Sequence, residues 1–214
     1  MRRTSIGLGI VLVILVGLDF GARFATEVIT ERQIQADPQI QVDGAELTIR
    51  SFPYVPLLVL AGEISGRIRL EGVTDQGFTV DEFSLDVDGL RFDRADLLEG
   101  DVLLTEIDRA TVAIAFTDQS ISESLGIQVV TSPGQIGVVA GGQERSASVD
   151  VDGGVLEIGA PNVGTLEVPL PSEQFLPCTP DVELGDGEIE LRCITTEIPP
   201  LVNELIGQAV DQGT

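Results

Sequence analysis

The chain has 214 residues, 43% of them hydrophobic, which suits one globular domain with a sizeable core plus an appendage. Its 12 basic residues, all arginine, face 35 acidic ones for a formal net charge of -23, so a phosphate backbone would be repelled and nucleic acid is set aside as a partner. Histidine, lysine and tryptophan are absent, which removes Ser-His-Asp triads, the usual zinc sites, lysine-bearing phosphate loops and the aromatic platform of most sugar-cleaving sites. No catalytic residue, metal site or cofactor is read from the chain, and an enzyme is not expected.

Arg2 and Arg3 precede an apolar run from Ile6 to Leu18, the plan of an export segment. The run is shorter than the ~20 residues of a spanning helix, as in a cleaved signal. The small-x-small cleavage pattern is nevertheless poor: Arg23 stands three residues before an exit after Ala25, and Phe20 takes that place for an exit after Ala22. Residues 21–36 read as an unbroken helix with Phe24, Val28 and Ile29 clustered on one side. The reading adopted is a retained signal or anchor over residues 1–25, N-terminus inside, and a single domain over residues 26–214 on the outer face of the cytoplasmic membrane. No cysteine lies near the segment, so a lipidated cysteine is excluded as the anchor.

In "SFPYVPLLVLAG", residues 51–62, no charged side chain occurs between Phe52 and Ala61. Left in water, each large apolar side chain would forfeit about 1.5 to 3 kcal/mol of burial, so the stretch is expected to be covered. Pro53 and Pro56 fit only a first helical turn, and Gly62 suits a helix terminus. A short apolar helix follows, too short for a second span, and either a core or the wall of a cavity would accommodate it.

From there the dominant period is two. "EISGRIRLEGV" places Ile64, Ile68 and Leu70 on one face and Arg67 and Arg69 on the other. "FSLDVDGLRFD" carries Phe83, Leu85 and Val87 on odd positions, then Leu90 and Phe92 on even ones, so a bulge is expected at Asp88-Gly89. "ATVAIAF" alternates likewise, and further strands are expected at residues 127–130, 136–140, 147–151, 155–158 and 165–168. Asp118 is expected to cap a short helix ending at Gly126, and "PPLVNELIGQAV" to form another near the C-terminus. "DVDG" occurs twice, but neither copy continues into a calcium loop with its distal glutamate.

In "CTPDVELGDGEIELRC", a two-residue turn at Gly185-Asp186 pairs Leu184 with Gly187, Val182 with Ile189, Pro180 with Leu191 and Cys178 with Cys193. A disulfide between Cys178 and Cys193 in an oxidising compartment is the natural reading. The alternative is two reduced cysteines that merely pack. The whole reads as a strand-rich α+β domain with long antiparallel strands and few helices.

A helix containing "TERQIQ", followed by "AELTIRSFPYVPLLVLAGEISGRIRLEGV", resembles the LmeA-like phospholipid-binding proteins of the actinobacterial cell envelope. Phe52, Pro53, Tyr54, Leu57, Leu58, Gly62, Gly72 and Val73 carry the resemblance. Ser51 and Tyr54 depart from the family's usual glycine and phenylalanine. The resemblance implies a tubular lipid-binding type of fold, in which a long curved antiparallel sheet wraps one or more helices around an elongated apolar groove. It also implies phospholipid as the ligand, outside the cytoplasmic membrane. Candidate groove-lining residues are then Phe52, Tyr54, Leu57, Leu58, Leu60, Ile64, Ile68, Leu70, Phe83, Leu85 and Val87. The expected function is an exported, membrane-tethered phospholipid-binding envelope protein; the competing reading is an anchored interaction domain with a filled core and no lipid.

Overall fold

The structure, a computed structural model, describes residues 16–32, 42–75, 78–93, 95, 104–172, 175–200 and 202. Residues 16–32 form helix α1. Strand β1 (Gly44–Ile49) leads into a helical turn, α2 (Tyr54–Pro56), which widens into a π turn at Leu57–Ala61. Gly62 ends it in the left-handed region at φ 67°, the conformation that glycine adopts without steric cost. Thus both prolines sit within the first turn and glycine terminates the helix. Of the helix expected over residues 21–36, the last four residues lie outside the described ones.

Strands β2 (Glu63–Asp75), β3 (Phe78–Phe92), β4 (Leu104–Glu106) and β5 (Arg109–Thr117) follow, then helix α3 (Asp118–Leu125). Next come β6 (Gln128–Ser132), β7 (Gln135–Ala140), β8 (Gln143–Asp152), β9 (Val155–Ala160) and β10 (Gly164–Pro169), and finally β11 (Asp181–Leu184) and β12 (Glu188–Thr195). Two antiparallel sheets result. One has seven strands in the order β1-β2-β3-β5-β12-β11 with β4 beside β3; the other is the five-stranded meander β6 to β10. The turns at Gly141-Gly142 and Gly153-Gly154 have positive φ at both positions, which is the backbone a tight two-residue hairpin requires.

Alternation sorts the large sheet into two chemically distinct faces. Ala45, Leu70, Phe83, Ile114, Leu191 and Val182 form one row of paired residues across five of its neighbouring strands and β11. Leu47, Ile68, Leu85, Val112 and Cys193 form the next. Leu47 apart, these rows pack with Val129, Val138, Leu156 and Ile158 of the meander into one core, with Ile121 of α3 fully buried among them. The helix contacts β6 and β10 on one side and β3 and β5 on the other, so it links the sheets. The strand-rich α+β class is as expected, with a second sheet completing the core beside the long one.

Asp88-Gly89 is the irregularity that the change of parity predicts. Val87 pairs with Gly66 but Leu90 with Ile64, so β3 carries one extra residue, and Gly89 takes φ 63°. Three local expectations need correction. The cap of α3 is Thr117, whose Oγ1 accepts from the Ser120 N–H, while the Asp118 carboxylate accepts from the Thr131 N–H and hydroxyl. In the β11–β12 hairpin, Val182 pairs with Leu191 and Leu184 with Ile189, two residues away from the expected register. A slip of two leaves every side chain on its original face, so side-chain alternation cannot detect it. Cys178 therefore precedes the ladder rather than closing it, and bonds Cys193 across a Cα separation of 6.0 Å, with Pro180 also outside the paired strand. Of the C-terminal helix, Pro199 lies before the helical residues, Pro200 and Val202 are helical and Val202 is buried; its remaining residues lie outside the described ones.

Candidate functional site

β1 is the edge of the seven-stranded sheet, and an edge presents backbone N–H groups without strand partners. Helix α1 supplies those partners. Glu31 Oε1 accepts from the Leu47 N–H at 3.0 Å, and Glu27 Oε1 from the Ile49 N–H at 2.8 Å. Four helical residues rise about 6 Å and two strand residues about 6.6 Å, so an i, i+4 pair of carboxylates matches alternate amides of the strand. Arg23 donates from Nε to Glu27 Oε1 at 3.0 Å.

One turn further back, the buried Asp19 reaches α2. Its carboxylate accepts from the Tyr54 N–H at 2.9 Å and the Val55 N–H at 2.6 Å. These are first-turn amides of a helix whose own cap position is Pro53, which has no side chain able to accept. Asp19, Arg23, Glu27 and Glu31 thus form a stripe at intervals of four in which the three carboxylates tie α1 to the domain and Arg23 is bonded to Glu27. The Tyr54 side chain is buried beneath, its hydroxyl 3.4 Å from Thr26 Oγ1.

The candidate lining residues occupy this end of the large sheet and the core beyond it. Phe52 and Leu60 are exposed; Leu57, Leu58, Ile64 and Ile68 are half-buried. Leu70, Phe83, Leu85 and Val87 are buried in the shared core. The π turn runs through Gly62 directly into β2, where Ile64 and Ile68 pack against the core. Sequence reasoning missed Ala45 and Leu47, half-buried on the same face, although their alternation with Glu46 and Thr48 was a readable signal. The expectation that the apolar stretch is wholly covered is not met by the chain itself, since Phe52, Val55, Val59 and Leu60 face outward.

The opposite face of the same sheet is polar. Arg50, Arg67, Arg69, Arg109 and Arg192, with Glu46, Glu82, Asp86 and Asp88, line an open depression of about 630 Å³. Asp86 Oδ2 accepts from Arg50 Nη1 at 2.8 Å and from Arg67 Nε at 2.9 Å, and Arg50 Nη2 also reaches Asp88 at 2.7 Å. Arg69 donates to Glu82 at 2.5 Å; this hydrogen bond, then the carboxylate's charge, raises the guanidinium pKa above its ordinary value. Arg67 and Arg69 point away from the core, as alternation predicts. Two acids of the first "DVDG" are engaged by arginine, whereas the second copy opens a hairpin turn.

Among the described residues no group of acids and cysteines is arranged to hold a metal ion, and no helix is long and apolar enough to cross a membrane. The disulfide suggests an oxidising compartment. No curated protein and no solved structure matches the chain. A family model described as LmeA-like phospholipid-binding matches residues 17–213, beginning within α1. That match spans nearly the whole described fold, from the helix carrying Asp19 to the last core residue, and the chain belongs to this phospholipid-binding family rather than to a family of enzymes.

Proposed function

We propose that the protein binds a phospholipid outside the cytoplasmic membrane, and that its N-terminal segment is retained and tethers it there. Family membership over residues 17–213 carries the lipid-binding part. The grading of the candidate lining supports a position for the acyl chain. It enters beside Phe52 and Leu60, runs between Leu57, Leu58, Ile64 and Ile68, and ends against Leu70, Phe83, Leu85 and Val87. Each methylene withdrawn from water there contributes about 0.8 kcal/mol. Retention of the segment is supported by Asp19: cleavage after Ala22 or Ala25 would strip the Tyr54 and Val55 amides of their acceptor. The disulfide supports an extracytoplasmic location.

A second reading, an anchored interaction domain without lipid, is favoured by one observation: the innermost candidates already pack against protein on all sides of the common core. Extraction separates the two. The full chain is recovered in mild detergent from a lipid-containing host, washed to remove loosely held lipid, and extracted with organic solvent for mass spectrometry. The proposal expects about one phospholipid per chain to survive the wash; none retained favours the second reading. Sequencing the N-terminus of the same material tests the tether, with a start at or beyond residue 23 contradicting it.

A further inference from the structure

Helix α1 is inverted relative to an ordinary surface helix. Such a helix buries an apolar stripe and exposes polar residues. Here Asp19 is buried and Arg23, Thr26 and Glu27 are half-buried against the domain, while every exposed residue from 16 to 25 is uncharged: Gly17, Leu18, Phe20, Gly21, Phe24 and Ala25. Phe20 is 54% and Phe24 67% exposed. The helix is fastened by its polar side and turns its apolar side outward.

The π turn extends the same surface. Phe20 packs on Phe52 with ring centroids 5.7 Å apart, and Phe52 is itself 56% exposed. Leu60, near the end of the turn, is 71% exposed, with Val55 and Val59 also facing outward. No charged residue occurs between Phe52 and Ala61 in a chain of net charge -23. A contiguous apolar patch of this kind on an acidic protein marks an interaction surface.

We infer that this patch docks the domain on a lipid bilayer, with Phe20, Phe24, Phe52 and Leu60 inserted at the level of the headgroups and upper acyl chains. The inference deepens the proposed tethering and rests on it. The occupant is indicated by chain continuity: the apolar run Ile6 to Leu18 passes directly into α1. At about 1.5 Å of rise per residue, Phe20 lies about 3 Å and Phe24 about 9 Å beyond Leu18. With the run in hydrocarbon, these rings and the Phe52 packed on Phe20 lie at the interface, where amphipathic and aromatic surfaces settle. A second copy of the chain is disfavoured, because two domains of charge -23 would have to be brought together. Docked in this way, the exposed end of the candidate lipid path faces the bilayer from which a lipid would come.

The chain contains no tryptophan, so one introduced residue is a clean reporter. Leu60→Trp and, as a second reporter in case that variant misfolds, Val59→Trp are made in the full chain and reconstituted in vesicles containing lipids brominated at defined acyl positions. Ser146→Trp, exposed on β8 in the other sheet, is the control. The inference expects blue-shifted emission at 60 or 59 and at least twofold quenching by the shallow bromines, with Ser146→Trp unquenched. Vesicle-bound protein with both reporters unquenched overturns the inference alone. A blue shift that grows with protein concentration in detergent without vesicles, accompanied by dimer in sedimentation, overturns it in favour of a second copy. Protein that does not remain with the vesicles overturns the inference together with the tether.

Discussion

The Asp19 carboxylate accepts a hydrogen bond from the backbone N–H of Tyr54 at 2.9 Å, joining residues 35 apart in sequence. With the companion bond from Val55, it acts as the helix cap that Pro53 cannot provide. Asp19→Ala leaves two amides without an acceptor, one of them in a buried residue, and should destabilise the domain by about 1 to 3 kcal/mol. Asp19→Asn keeps one acceptor oxygen and should lose less. Urea unfolding of the two variants checks both the size and the order.

Glu27 and Glu31 cover the edge amides of β1. Their joint replacement by alanine should speed amide exchange at Leu47 and Ile49 at least tenfold while leaving β5 amides protected, because only the edge loses its acceptors. It should also raise the tendency to aggregate through the uncovered strand. Exchange by mass spectrometry at peptide resolution reads the first effect, and light scattering the second.

Closing residues 178–193 removes freedom from the unfolded chain. For a loop of about 15 residues the usual contribution is about 3 kcal/mol, so reduction should lower the melting temperature by several degrees. Thermal unfolding with and without reductant measures it; an unchanged midpoint would mean that the hairpin is held by β5 pairing alone.

The Arg69–Glu82 pair should matter little. Both side chains are substantially exposed, so Arg69→Ala should change stability by less than about 1 kcal/mol. The arginine's raised pKa places its pH dependence out of ordinary reach: any stabilisation is fully present below the unfolded value and is lost only as pH rises through the still higher folded value. Unfolding curves between pH 6 and 10 should therefore show no arginine-dependent slope, and a difference in slope between wild type and Arg69→Ala would contradict this.

The strands were legible because their side chains repeat a local alternation: Val112, Ile114 and Phe116 could be placed on one face of β5 without knowing what β5 pairs with. The bend at Gly89 was legible for the same reason, as a break in that alternation. The β11–β12 register was not, since two registers two residues apart present identical faces. Nor was the role of Asp19, which looks like an isolated charge after an apolar run until α2 is folded against it. The outward position of Phe52 and Leu60 contradicts a burial argument that considers the polypeptide alone. Hydrophobicity says that a residue leaves water, and does not say whether protein or lipid receives it.

An acyl chain lying against the core face of β2 and β3, as proposed, is within reach of photo-crosslinking in the full chain reconstituted in vesicles with a phospholipid carrying a diazirine near the end of one acyl chain. Crosslinked peptides containing Ile64, Ile68 or Leu70 are expected, reduced at least severalfold by Ile68→Gln while the fold is retained. Crosslinks confined to α1 and the residues before it, unaffected by Ile68→Gln, would contradict that position of the acyl chain.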